Sequence, residues 1–511
     1  MSRALLKSTG VVSAMTFISR VLGFVRDIVI ARAFGAGAGA DAFFVAFRIP
    51  NLLRRLFAEG GFSMAFVPVL SEYKVQRTHQ EMQQLINDVA GTLGIILFGV
   101  TALGIIAAPL LIWLFAPGFS ADPNKFDLTV TMLRITFPYL LFISLTALAG
   151  GILNTWGRFG VPALTPVFLN LWMTVVALWL APFMAQPVVA LAWGVFLAGV
   201  TQLLFQIPFL RDLRLLPHRL RWGWRTDGVQ HILRLMLPAL FGSSVAQINL
   251  LINTILASFL VTGSVSWLYY TDRLVEFPLG MFGVTLSVVI LPTLSQKHAA
   301  ASPEEFSHIL DWALRWALLI GFPASAALII LAGPLLSTLF QHGEFNAYDV
   351  RMTSRSLITY SLGLLAFMLI KVLSPAFYAR QDSRTPVRIG ITAMVMNMIF
   401  NVILVFPLAH AGLALANSLS AYGNAAMLFR HLYRNNIYRP SPDWGRFLLQ
   451  ILVATAIMGV FLWYGAGNLA GWVQVSGTRR LLHLSWLVSC GVLIYLLSLL
   501  ALGVRLRHLK V

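Results

Sequence analysis

Charged side chains are scarce in this chain. Asp, Glu, Lys and Arg make up 11% of its 511 residues, against about 25% in a soluble domain. The shortage runs along the whole length and excludes an ordinary water-soluble globule, so composition alone places the chain among membrane proteins. Acidic residues are the scarcer sign, 19 against 37 Lys and Arg, for a net charge of +18. Such an excess is the usual footprint of a nucleic-acid binder. Here no soluble basic domain gathers it. The basic residues are divided between short loops and a few positions inside apolar segments, so no nucleic acid is expected as a partner. Cysteine is all but missing. Cys490 stands alone in an apolar stretch, which excludes an intrachain disulfide and a cysteine metal cluster and reads as a small buried hydrophobe. Catalytic signatures are missing too. There is no Walker A lysine motif, HExxH or G-x-S-x-G, and His231, His308, His410 and His483 are scattered. The glycines of FGAGAGAD (34–41) fail the GxGxxG spacing and lie after no strand. Neither an enzyme nor a cofactor is expected. Any pumping must draw on the membrane potential or an ion gradient, one elementary charge being worth about 2.3 kcal/mol per 100 mV.

What the chain has in abundance is long apolar runs. Uninterrupted candidates for spanning helices lie at 88–115, 130–153, 161–183, 187–210, 307–335, 354–377, 387–407, 411–431, 447–468 and 481–503. The segments 8–33, 40–70, 234–260 and 266–294 are apolar but broken by charge. With about 20 residues needed per crossing, this predicts an all-α polytopic protein of about fourteen spans. Arg3 and Lys7 before an apolar run resemble a signal-peptide start, but Arg20 and Arg26 interrupt that run. A cleavable apolar region is short and uncharged, so the segment reads as a retained first helix.

Basic residues alternate between loops. Lys74 and Arg77, Arg158, then Arg211, Arg214, Arg219, Arg221 and Arg225, then Lys297, then Arg380, Arg384 and Arg388, then Arg434, Arg439 and Arg446 come after even-numbered spans. Arg505, Arg507 and Lys510 end the chain. Odd-numbered loops are nearly free of them, apart from Lys125 and the pair Arg479–Arg480. Positively charged loops stay on the cytoplasmic side, so both termini are expected there, in a multi-pass membrane protein.

An internal repeat is visible. FSMAFVPVLSEYK (62–74) resembles TLSVVILPTLSQK (285–297), pairing Pro68 with Pro292, Ser63 with Ser287 and Ser71 with Ser295. TWGRFGVP (155–162) pairs with FYARQDSRTP (377–386) at nearly the same offset. A duplicated unit of six spans places two parallel six-helix lobes around a central cavity, related by an axis along the membrane normal. The expected division is 1–225 and 226–440 for the lobes and 441–511 for two extra helices.

Ionisable residues at bilayer depth cost about 2.5–3.5 kcal/mol each on insertion scales and face a cavity or a partner. Span 1 carries Arg20, Arg26, Asp27 and Arg32; span 2 carries Asp41, Arg48, Arg54, Arg55 and Glu59; span 8 carries Asp272, Arg273 and Glu276; Lys371 sits near the end of span 10. Spans 2 and 8 are equivalent in the repeat, so their charges are expected to converge. Arginine predominates, and its planar fork binds phosphate oxygens bidentately. Arg26, Arg54 and Arg273 read as cavity residues. Arg32, Arg48, Arg55 and Lys371 suit a cavity or snorkelling to headgroups. Asp41 and Glu276 suit orienting an arginine or holding a cation. Pro50 and Gly60–Gly61 would let span 2 bend or unwind, acceptable only against a cavity.

SRVLGFVRD (19–27), DAFFVAFRIPNLLRRLFAEGGFSMAFVPVLSEYK (41–74), GSVSWLYYTDRLVEFPLG (263–280) and SRTPVRI (383–389) closely resemble MurJ, the bacterial lipid II flippase family. The resemblance implies fourteen helices, two lobes and a V-shaped cavity. It implies transfer of the undecaprenyl-pyrophosphate-linked peptidoglycan precursor between leaflets by alternating access, in support of cell-wall synthesis and cell shape. Its partners would be lipid II, membrane lipids and proteins of cell-wall synthesis. Carried over by motif, its cavity residues are Arg20, Arg26, Asp41, Arg54, Arg273 and Glu276, with no metal and no catalytic group. A cation-coupled drug exporter of the same fold would want acidic or aromatic groups instead of the arginine excess. A carrier of another polyprenyl-diphosphate glycan is separated by the motifs alone.

Overall fold

The computed structural model describes residues 3–55, 61–219, 221–300 and 302–504. Glu59, Gly60, Arg505, Arg507 and Lys510 lie outside the described residues, as do the side chains of Arg3 and Lys7. Among the described residues every regular element is helical, and ten helices are long and apolar enough to cross a membrane. The chain forms two compact units, Met1–Val265 and Ser266–Val511.

The first unit holds α1 (Arg3–Phe34), α2 (Ala38–Arg54), α3 (Ser63–Gln76), α4 (His79–Ile106), α5 (Ala108–Phe115), α6 (Pro123–Thr136), α7 (Tyr139–Thr155), α8 (Gly160–Val175), α9 (Val189–Asp212) and α10 (Asp227–Ser258). Local chemistry sets several boundaries. Thr78 and Glu81 form a reciprocal capping box at the start of α4. Asp122 caps α6, with Pro123 in the first turn, where a missing N–H costs nothing. Pro138 divides the crossing Pro123–Thr155 into α6 and α7. Phe66, Leu70, Ile86, Ile152 and Leu153 sit at the centre of a core shared by α3, α4, α7 and α10. Because α10 packs on α3 and α4, the compact division falls after Val265, not after residue 225. The basic loop between α9 and α10 lays its backbone on α4. Gly223 N donates to Thr92 Oγ1 (2.9 Å), and a Cβ at Gly91 would fall 2.2 Å from the Arg221 carbonyl oxygen. The loop's Arg219, Arg221 and Arg225 point outward beside the stacked rings of Trp222 and Trp224, a combination suited to a headgroup layer.

The second unit continues with α11 (Ser264–Pro278), α12 (Val284–Ala299), α13 (Pro303–Ile330), α14 (Ala332–Leu339), α15 (Ala347–Ser361), α16 (Leu364–Tyr378), α17 (Arg384–Leu408), α18 (His410–Arg434), α19 (Trp444–Ala466), α20 (Leu469–Gln474) and α21 (Gly477–Ala501). Its core repeats that of the first: α12, α13 and α16 bring Leu294, Leu310, Val372 and Phe377 together. The paired serines behave alike. Ser71 Oγ donates to Val67 O (2.7 Å) and Ser295 Oγ to Leu291 O (2.9 Å), each supporting its helix around the paired prolines Pro68 and Pro292. Both paired spans also loosen at the same place. The helix is π-helical at Arg55 and at Gly61–Phe62 in the first unit, and from Leu279 to Gly283 in the second. Such turns mark functional sites more often than chance.

The last two long helices, α19 and α21, belong to the second unit and pack on α13. A polar knot fastens them. Asp311 accepts from Tyr438 Oη (2.7 Å), Ser441 Oγ (2.9 Å), Arg315 Nε (2.8 Å) and the Trp444 indole, while Arg315 also forks onto Asp443 at 2.7 and 3.1 Å. Arg480, an exception to the loop-charge rule, is consumed structurally. Its guanidinium donates to the carbonyls of Val475, Val473 and Ser337 (2.7 Å each) and to Gln341 Oε1 (3.0 Å).

Candidate functional site

The charges of α1 meet two different environments. Arg20 is exposed. Arg26, nearly two turns on, is 5% exposed. Its Nη2 and Nε donate to Asp27 Oδ1 (2.6 and 3.0 Å) and its Nη1 to Asn170 Oδ1 on α8 (3.0 Å). Asn170 in turn donates to Ser19 O (2.9 Å). Arg26 is thus a neutralised clamp between α1 and α8, where the sequence suggested a residue lining an open cavity. A carboxylate next in sequence and an amide on another helix have already taken its fork.

Asp41 meets a cation of the protein's own. It is buried at the start of α2, and its Oδ2 accepts from Lys125 Nζ (2.9 Å) and from the backbone N–H of Gly263 (2.7 Å). Lys125 lies over the Phe119 ring at 4.1 Å. Asp41 therefore meets a lysine that sequence reasoning counted only as a loop charge, and ties the start of α2 to α6. Two turns further along α2 the chain turns polar again. Arg48 Nη1 donates to Thr254 Oγ1 on α10 (2.7 Å), and Arg54 Nε donates to Asn51 Oδ1 (3.0 Å).

Arg54 is half-buried and lines an open pocket of about 370 Å³ within the first unit, to which α3, α7, α8 and α9 contribute walls. An arginine, amides and hydroxyls share this one hollow: Ser63, Thr146, Asn154, Thr165, Gln202 and Gln206 join Arg54. The prolines of α8 help open it. Pro166 has no N–H for the carbonyl of Pro162, and the Thr165 hydroxyl donates there instead.

In the second unit Arg273 is one-third exposed. Its Nη1 donates to Glu276 Oε2 (3.0 Å), and the guanidinium lies 5.0 Å from the centre of the Tyr269 ring. Glu276 stands at the i,i+3 position from Arg273 that makes this contact possible. The structure thus joins Arg273 with Glu276 and Arg54 with a pocket, and withdraws Arg26 and Asp41 into buried pairs. Sequence reasoning missed Lys125, Asn170, Gln202 and Gln206. The last two were visible as uncharged polar residues four apart in an apolar helix; the first two carried no signal, since their partners are remote in sequence.

Long apolar helices with arginines and amides held among them define a polytopic helical membrane protein. An inward-facing MATE family multidrug transporter of the MOP superfamily has the same fold, with a TM-score of 0.68 at 16% identity over 85% of this chain and 98% of that one. The relatives narrow this. The profile described as lipid II flippase MurJ matches residues 30–482, and the chain belongs to that family. A probable lipid II flippase MurJ of Vibrio cholerae serotype O1 is 50% identical, covering 100% of this chain and 98% of the relative. A lipid II flippase MurJ of Burkholderia cenocepacia is 45% identical over 88% of each. A solved lipid II flippase MurJ in an inward closed conformation matches with a TM-score of 0.80 at 27% identity, over 95% of this chain and 97% of that one.

Proposed function

We propose that this protein carries lipid II, the undecaprenyl-diphosphate-linked peptidoglycan precursor, from the cytoplasmic to the periplasmic leaflet of the bacterial inner membrane by alternating access, with both termini cytoplasmic. It does so without covalent chemistry. The observation that carries the reading, in a chain of this family, is Arg54: a permanently charged fork held half-buried beside a polar hollow in a membrane-spanning unit. A diphosphate is the ligand such a fork fits best. Arg54 binds phosphate oxygens within the first unit, Arg273, aimed by Glu276, offers a fork of the same chemistry in the second, Arg20 adds exposed positive charge, and Arg26 and Asp41 position α1 and α2. The prenyl tail stays in lipid. The membrane potential helps return the cationic binding region to face inward once the cargo has left, since positive charge is drawn toward a negative cytoplasm.

The test is depletion of the protein from its host, with lipid II reachable from outside then measured. Wild type is expected to restore outward exposure, while Arg54→Ala and Arg273→Ala leave precursor accumulating inside. Unchanged exposure after depletion would remove lipid II as the cargo and turn attention to other polyprenyl-linked glycans.

A further inference from the structure

A second hollow in the first unit is almost wholly apolar. It measures about 170 Å³ and lies between α4, α7 and α10, with Val89, Ile96 and Val100 of α4, Leu140 of α7, and Ile232 and Met236 of α10 in its walls. It shares no lining residue with the hollow beside Arg54: Phe62 lines the apolar one, and the next residue, Ser63, lines the other. Among the described residues lining it none is charged, and the polar ones are Thr92 and Ser144. Thr92 Oγ1 already accepts from Gly223 N (2.9 Å). Apolar hollows of about 150 Å³ stay dry and admit hydrocarbon, whereas small-molecule pockets begin near about 300 Å³. The size therefore suits part of a hydrocarbon chain and not a whole polar ligand.

Length and charge select the chain. Along α4 the wall runs from Val89 to Val100, about 16 Å at 1.5 Å per residue. Half of a bilayer's hydrocarbon core is about 15 Å, the depth of one leaflet. Leu93 and Ile96 are partly exposed and Val100 is 38% exposed, so the hollow is open along its side. At the Val89 end lies the loop between α9 and α10, with its Gly223 bonded to Thr92 and its Arg221 backbone resting on Gly91. Over 219–234 the exposed charges are Arg219, Arg221, Arg225 and Arg234 against one acid, Asp227. Trp222 and Trp224 stack among them, 5.9 Å between ring centres, as aromatic rings do at headgroup level. A cationic rim above an apolar slot one leaflet deep fits a molecule with an anionic head and a hydrocarbon tail. We propose that the first unit holds an anionic phospholipid, with one acyl chain in this hollow and its phosphate among the arginines of the loop. The site is separate from the hollow of Arg54 and depends neither on the cargo nor on which way the chain crosses the membrane.

The experiment uses the purified full chain in phosphatidylcholine nanodiscs doped with a trace of phosphatidylglycerol or of phosphatidylcholine, each carrying the same photoreactive acyl chain. Adducts are mapped by mass spectrometry. In wild type they should gather on 89–100 and 229–236 and be about tenfold more abundant with phosphatidylglycerol, because each basic residue near an anionic lipid contributes about fivefold. Unlabelled phosphatidylglycerol should compete them away. Arg219→Gln, Arg221→Gln and Arg225→Gln together should make the two probes label alike. Leu93→Trp, which places a ring in the hollow, should suppress adducts there with both. The triple variant changes only exposed side chains, so it decides the matter if Leu93→Trp does not assemble. Equal labelling by both probes in wild type would overturn the site, as would a preference that survives loss of the three arginines. Competition by inorganic phosphate would make it a free-anion site without a chain, and displacement by undecaprenyl diphosphate at lower concentration than by phosphatidylglycerol would give the hollow to the cargo's tail; either result defeats the proposal.

Discussion

At the scale of single residues, the arginines of this protein are sorted by what has already claimed them. Arg26 is buried against Asp27 and Asn170, and removing one member of such a pair leaves a stranded charge. Asp27→Asn is expected to lower stability by about 3–5 kcal/mol, whereas Arg26→Met combined with Asp27→Leu should be far milder. Thermal unfolding of the purified variants compares them. Arg273 is partly exposed and pairs with Glu276 through an i,i+3 contact, so Arg273→Ala should leave the melting temperature within about 2 °C, consistent with the small worth of exposed pairs, while abolishing rescue of transport. The positions of these arginines were legible in the sequence, since charge in an apolar run cannot be overlooked. Their partners were not: Asn170 and Lys125 stand far along the chain from Arg26 and Asp41, and no spacing rule reaches across helices.

At the scale of elements, the helices were legible from apolar length, but several starts were set seven to nine residues late, as at 88 against His79 and 130 against Pro123, because their capped first turns are polar. Thr78 with Glu81, and Asn346 with Asp349, close reciprocal boxes at the starts of α4 and α15. Thr78→Ala should cost about 1 kcal/mol, seen as a lower unfolding midpoint. A bend or unwinding of span 2 was read from Pro50 and Gly60–Gly61, yet α2 runs through Pro50 without interruption; the π-helical turns in both copies arise from packing that a single-sequence pattern does not encode. The knot around Asp311 also escaped sequence reasoning, since it joins α13 to a loop more than a hundred residues later. Burial, and then the Asp311 carboxylate, push the Tyr438 hydroxyl far above its ordinary range, so it remains a donor throughout the physiological range. Asp311→Ala should loosen the approach to α19 and make the 435–443 loop a preferred site of limited proteolysis, at unchanged overall helix content.

At the scale of the whole molecule, the duplication read from two short matches reappears as two cores built from corresponding helices. What it did not convey is where compactness divides the chain, because α10 packs with the helices before it. The proposed orientation is open to a direct test, helped by Cys490 being the single cysteine. In a Cys490→Ser background, Glu344→Cys should react with a membrane-impermeant thiol reagent in intact spheroplasts, and Ser383→Cys only after permeabilisation. The reverse pattern would invert the topology. Arg480 adds a matter of timing. Its four oxygen partners come from α14 and the turn just after it, and from α20 and the residues leading into α21, and they are in place only when those segments have met. While the chain is being inserted, Arg479 and Arg480 are bare positive charges favouring retention on the cytoplasmic side. Under the proposed orientation, the final hairpin is held in direction by the competing cations Arg439, Arg446, Arg505, Arg507 and Lys510 until folding gives Arg480 its bonds. Its correct orientation is decided by a balance of votes taken before the structure that justifies the dissenting one exists.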